Sequence, residues 1–169
     1  MNEAHPGVTS ATSEPAAARD TGVVVLVRPP ILFLVAILAG IGLNLLWPTP
    51  VVPQSVEPLG GLLVVVAIVL FASAVREFRR AATPIRTRHP VTLVVRGGPY
   101  RFSRNPIYLS FTLLLLGIGI WVNSAWLLGM LVPTVLLIRY GVIAREERYL
   151  TTRFGEEYLR YQTAVRRWI

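Results

Sequence analysis

The run from Pro106 to Ile138 constrains this chain most: 33 residues in which no Asp, Glu, Lys or Arg interrupts a mostly apolar sequence. As one straight helix it would be roughly 50 Å long at 1.5 Å per residue, far more than the ~30 Å hydrocarbon core of a bilayer. A reverse turn at Asn123-Ser124 removes the mismatch. It predicts a helical hairpin, residues 106–122 and 125–150, with Trp121 and Trp126 at one membrane interface, where amphipathic rings collect.

Two further apolar segments, Ile31 to Trp47 and Leu59 to Val75, precede the hairpin, and each is close to spanning length. Only 15% of the 169 residues are charged and mean hydropathy is +0.56, whereas a soluble domain carries about a quarter charged residues. The expected fold class is an all-α integral membrane protein of about four transmembrane helices. The residues before the first helix hold Glu3, Glu14 and Asp20 rather than a basic n-region, so that helix is expected to be retained and not cleaved as a signal. Met1 to Thr21, rich in Ala, Ser, Thr, Gly and Pro, offers little to bury and is expected to be disordered.

The net charge of +8 comes from 17 arginines and no lysine, and it is unevenly placed. Arg76, Arg79, Arg80, Arg86, Arg88, Arg96, Arg101 and Arg104 fall between the second and third apolar helices, and Arg145, Arg148, Arg153, Arg160, Arg166 and Arg167 follow the fourth. Pro48 to Pro58 and the Asn123 turn hold none. The positive-inside rule makes both basic segments, and both termini, cytoplasmic. Arginines that flank spans this closely serve topology and anionic headgroups, which argues against nucleic acid as a partner.

Several chemistries are excluded. With no cysteine there is no disulfide scaffold, thiolate metal site or thiol nucleophile. His5 and His89 stand apart, so no His cluster is available for a metal. Gly40-Ile41-Gly42 and Gly117-Ile118-Gly119 lie within apolar helices rather than after a strand, and read as helix-packing positions, not a dinucleotide fingerprint.

Other polar residues exceed what topology requires. Arg96 to Tyr108 is dense in turn formers and rings at the point of membrane re-entry. Asn105 is a preferred N-cap and Pro106 suits the first helical position. The first-turn N–H groups of Ile107 and Tyr108 would then be free for a carboxylate or phosphate. Arg139 and Glu146 lie seven residues apart, two turns along one face of a regular helix. Glu147, turned by about 100° from Glu146, faces elsewhere unless the helix bends there. After Phe154-Gly155, a plausible helix stop, Tyr158, Tyr161 and Val165 recur at helical spacing and predict an amphipathic interfacial helix over 156–166.

Gly98-Pro99-Tyr100, Arg104-Asn105-Pro106-Ile107-Tyr108, Glu146-Glu147 and Phe154-Gly155-Glu156-Glu157-Tyr158, in that order, resemble the isoprenylcysteine carboxyl methyltransferase family and the related phospholipid N-methyltransferases. The likeness runs from about Thr92 to Tyr161. It implies a methyltransferase of EC class 2.1.1 that binds S-adenosylmethionine in a non-Rossmann pocket at the cytoplasmic membrane face and releases S-adenosylhomocysteine. With the tail (1–28) and two transmembrane helices (29–82) read from composition and hydropathy, it makes 83–169 the catalytic region. By position it implies cofactor contacts at Tyr100, Asn105, Pro106, Tyr108, Glu146 and Glu147, with the backbone of Val94 and Val95 along the adenosyl group. Helix N-terminal amides suit the methionine carboxylate, tyrosine faces the sulfonium, and a carboxylate the α-amino group or ribose hydroxyls.

The acceptor implied is lipophilic, in the first instance a prenylcysteine-like carboxylate, with a phospholipid or other amine, or a thiol, as the alternative. Carboxyl methyltransferases usually carry Arg-His-Pro-x-Tyr, and Asn105 moves this chain towards the phospholipid N-methyltransferase pattern. Val142 stands where eukaryotic carboxyl methyltransferases place a substrate-binding arginine, for which Arg139 is the replacement candidate. Catalytic roles therefore fall to Glu146, Arg139 and Tyr108, and a base for an amine or thiol would be Glu146, Glu147 or Tyr108. Integral-membrane sterol reductases share the C-terminal architecture but need nicotinamide and more spans. A non-enzymatic membrane subunit binding anionic lipid is the remaining rival. Exclusive use of arginine suggests a GC-rich bacterial genome, and hence the inner membrane.

Overall fold

The computed structural model describes residues 28–81 and 94–169. The expected disordered tail, His5, His89, Arg86 and Arg88 lie outside the described residues. Among the described residues the structure is helical and holds no strand. Helix α1 spans Pro29–Leu46, α2 Glu57–Arg80, α3 Pro106–Trp121, α4 Ala125–Leu137, α5 Ala144–Phe154 and α6 Glu156–Ala164. A π-helical segment, Ile138–Ile143, joins α4 to α5, so that Ala125–Phe154 is one continuous rod of 30 residues.

Three helices are long and apolar enough to cross a membrane: Pro29–Leu46, Gln54–Arg80 and Ala125–Phe154. Helix α3 is apolar but only 16 residues long, about 24 Å at 1.5 Å per residue. The leucines and valines of α1, α2 and α4 that face outwards, among them Leu34, Leu38, Leu62, Val69, Val132 and Leu136, are exposed. A surface so apolar is at home in lipid, where no water penalises it. The protein is an integral membrane protein.

Without a hydrophobic drive between helices in lipid, close backbone approach through small residues supplies the packing. Helix α2 lies along α3 where Gly60 meets Gly117: a Cβ on Gly60 would sit 2.6 Å from the Gly117 carbonyl oxygen and 2.4 Å from the Trp121 nitrogen. Gly40 of α1 packs on Leu127 of α4, and Gly119 on Leu128. Gly42, the other glycine of its pair, faces open space. Both contacts join the end of one helix to the start of its neighbour, so α1 runs antiparallel to α4, and α2 to α3. Phe33, Ala36, Leu115, Leu127, Ile138, Val142 and Ile143 form the buried core between α1, α3 and the long rod.

At one end the Asn123 side chain ties two loops together. Asn123, at φ +51, accepts from the backbone nitrogens of Val51 (2.8 Å) and Val52 (2.9 Å), and donates to Val52 oxygen and to Glu57 Oε1. Ser124 then caps α4 by accepting from Leu127 N. Trp47, Trp121 and Trp126 are exposed around this end, and Trp126 Nε1 donates to Trp47 oxygen at 2.9 Å. The arginine-rich segments gather at the opposite end.

Candidate active site

The opposite end is where α3 begins and α5 begins. Pro106, at the first position of α3, is buried and costs no hydrogen bond there. Asn105 holds the N-cap position, but its side chain does not cap the helix. Its Nδ2 donates instead to Arg167 oxygen at 3.1 Å, and its backbone nitrogen donates to Ser103 Oγ. The start of α3 thus has no capping side chain, and its positive dipole end is left for an anion. One turn in, the Tyr108 hydroxyl donates to Glu146 Oε1 at 2.8 Å, across 38 residues of sequence.

Glu146 reaches Tyr108 because of the rod that carries it. It lies 21 residues beyond Ala125, about 32 Å along a helix axis, and so at the border of a ~30 Å hydrocarbon layer. The π-helical segment just before it adds a residue to the turn and rotates α5 relative to the continuation of a regular helix. This corrects the shared face expected for Arg139 and Glu146: Arg139 is exposed and lies over the ring of Tyr140 at 5.6 Å, while Glu146 is half-buried. Val142 is part of the apolar core and not of the site.

Glu147, facing away from Glu146, is 7% exposed and closes an ion-pair cluster. Arg104 NH1 lies 3.2 Å from its Oε1, and Arg167 grips both oxygens, with Nε at 3.1 Å from Oε1. A carboxylate this buried is stable in its charged form only with such partners. Arg104 Nε is itself buried without a hydrogen-bond partner.

Tyr100 sits in the 3-10 turn Gly98–Arg101 and is buried. Its ring meets Phe78 of α2 edge to face at 5.2 Å, and its carbonyl accepts from the Tyr161 hydroxyl at 2.7 Å. Its own hydroxyl is buried with no partner, as is that of Tyr149. Burial first, then the neighbouring Tyr161 and the Glu146 carboxylate, push the Tyr100 hydroxyl well above its ordinary range, so it stays protonated as a donor. Tyr161, also raised chiefly by burial, to about 12, stays protonated too. Orphaned buried donors of this kind are rare in folded proteins and mark a place where a ligand can supply acceptors.

Val94 and Val95 are half-buried in the irregular segment before that turn. Arg96, next to them, pairs with Glu157 at 3.0 Å and lies over the Tyr161 ring. Gly98 takes φ +53, and a Cβ there or on Gly97 would collide with the Glu77 side chain from the end of α2. Tyr158 and Tyr161 of α6 are buried; Val165 lies beyond the helix, which ends at Ala164.

The residues brought together are therefore Tyr100, Asn105, Pro106, Tyr108 and Glu146, with Glu147 behind them, while Arg139 is exposed with its guanidinium over the Tyr140 ring. Sequence reasoning missed Glu77, Ser103, Arg104 and Arg167. A signal for Arg104 was its place in the Arg104-Asn105-Pro106 motif; Arg167 had none, since its partners Glu147 and Asn105 lie 20 and 62 residues away.

The described residues thus form an all-helical bundle with three helices long and apolar enough to cross a membrane, and a tyrosine–carboxylate pair at the end where α3 and α5 begin. A family model for phospholipid methyltransferases matches residues 56–157, more than half the chain. The chain belongs to this phospholipid methyltransferase family. It is also 47% identical over 65 residues to an uncharacterized protein of Haemophilus influenzae, a match that covers 37% of this chain and all of that one. No solved structure matches it.

Proposed function

We propose that the protein is an S-adenosylmethionine-dependent methyltransferase acting on a lipid amine at the arginine-rich face of the membrane. The Tyr108–Glu146 hydrogen bond is the observation that carries this reading, because it sets a carboxylate beside an uncapped helix start and near the orphaned Tyr100 hydroxyl. These residues fit the cofactor. The first turn of α3 suits its methionine carboxylate, Glu146 its ammonium or ribose hydroxyls, and the Tyr100 hydroxyl any acceptor atom, while Glu147 is taken up by Arg104 and Arg167. Val94, Val95, Asn105 and Pro106 would line the remainder.

S-adenosylmethionine would supply a methyl group on a sulfonium, transferred by in-line displacement with release of S-adenosylhomocysteine. The protein's part is alignment and exclusion of water. With Oε1 engaged by Tyr108, the second oxygen of Glu146 takes the proton of an incoming ammonium, which exposes the nitrogen lone pair. An amine is favoured over the carboxylate acceptor because Val142 is core and Asn105 stands in the motif where carboxyl methyltransferases usually carry histidine. The carboxylate reading keeps one observation in its favour, the unpartnered Nε of Arg104.

Helix α3 serves as the fourth span, its ~24 Å matched by local thinning of the bilayer. The arginines, the site and both termini then face the cytoplasm, in a bacterial inner membrane. Incubation of the purified protein with methyl-labelled cofactor and bacterial lipid extract tests the function. Base-stable label in a phospholipid headgroup is expected. Base-labile label would establish an ester and the carboxylate reading, and no transfer to any fraction would refute the enzyme.

A further inference from the structure

Beyond α6 the chain turns extended at Val165 and runs back across the site. Arg166 oxygen accepts from Arg104 N at 3.0 Å, and Arg167 oxygen accepts from Ser103 Oγ at 3.4 Å and Asn105 Nδ2 at 3.1 Å. The Arg167 side chain holds Glu147 through both of its oxygens, and Trp168 packs against the apolar core. One short segment therefore bonds to the chain neighbours of both members of the Tyr108–Glu146 pair: the residues that lead into α3, and the residue next to Glu146 on α5.

The π-helical segment gives these contacts their importance. The π-helical segment carries a continuous helix from α4 into α5 through a wider turn, so α5 presents a different face from the one a regular helix would give it. The grip of Arg104 and Arg167 on Glu147 ties that face of α5 to the residues leading into α3 and to the chain beyond α6, and Glu146 sits about 100° further round.

We propose that the segment from Val165 to Trp168 is a strap coupled to cofactor binding, with Arg167 as a positioning residue for Glu146 and for the first turn of α3. This rests on the cofactor site proposed above. Coupling of this kind is reciprocal: if the strap raises affinity for the cofactor, the cofactor must stabilise the strap by the same free energy. A purely structural tail would show neither effect.

The test uses the full chain in detergent and S-adenosylhomocysteine as probe. Hydrogen exchange followed by mass spectrometry is expected to show slower exchange on probe binding in peptides covering 103–105 and 165–169, with 48–56 and 122–124 unchanged. In calorimetry Arg167→Ala is expected to weaken probe affinity roughly tenfold or more, and Arg167→Lys, which keeps a charge on Glu147, to recover part of it. Saturable binding to the wild type with no change of exchange at 165–169, or undiminished affinity in a folded Arg167→Ala, would overturn the strap and leave the enzyme reading intact. No saturable binding to the wild type would overturn both. If Arg167→Ala does not fold, the wild-type exchange result decides alone.

Discussion

At the tryptophan-ringed end, the neutral amide of Asn123 joins two loops through four hydrogen bonds, and Glu57 is the one charged group it meets. At the arginine-rich end, two carboxylates, two guanidiniums and several tyrosines are held together across three separate stretches of chain. Both ends contain orphaned buried atoms, but of different kinds. Those of Asn44 and Thr49 near the first are neutral groups; those of Tyr100, Tyr149 and Arg104 at the second are donors of titratable side chains. The difference separates closure from chemistry. A loop that merely caps a bundle is best served by neutral bonds within itself, whereas ionisable groups at membrane depth are costly and persist where something is to be bound or transferred.

The largest effect is expected at Glu146. Glu146→Gln keeps the shape of the side chain and a hydrogen bond to Tyr108, yet removes the proton acceptor, and methyl transfer should fall by about a thousandfold with the fold retained. Labelled-methyl transfer alongside circular dichroism measures this. Next in size is Glu147→Ala. It leaves Arg104, 11% exposed, without its carboxylate, and should lower stability by about 3 kcal/mol, read as an earlier thermal midpoint in detergent.

At the other end, Asn123→Ala removes the four Asn123 side-chain bonds and puts a Cβ residue without polar rescue at φ +51. About 2 kcal/mol should be lost, with Asn123→Gly losing less because glycine accepts that φ freely. Neither substitution should alter cofactor affinity, which is what sharpens the contrast. The smallest effect is expected within α1: Gly42→Ala meets nothing within 4 Å and should gain about 0.5–1 kcal/mol from helix propensity. Thermal midpoints of the same preparations rank these variants.

What could be read from the sequence was what adds up locally. Hydropathy sums along a segment, so the apolar stretches that became α1, α2 and the long rod were visible, as were the Asn123-Ser124 turn and the Asn105-Pro106 helix start. The site was legible only where a short motif carried it. Asn105 occupies the expected position but gives its amide to Arg167, since a partner 62 residues away outcompetes the local cap. The seven-residue spacing of Arg139 and Glu146 failed because no residue type announces a π-helical turn, and that one turn decides which face α5 presents. The strap was invisible for the same reason: its bonds exist only after α3, α5 and α6 have assembled.

Binding of S-adenosylhomocysteine to the solubilised wild type, to Asn123→Gly and to Glu146→Gln, measured by titration calorimetry under one condition, tests the division of the two ends most directly. Saturable one-to-one binding to the wild type and to Asn123→Gly, weakened or lost in Glu146→Gln, is the expected result. Equal binding to all three, or none to the wild type, would contradict the placement of the cofactor at the arginine-rich end.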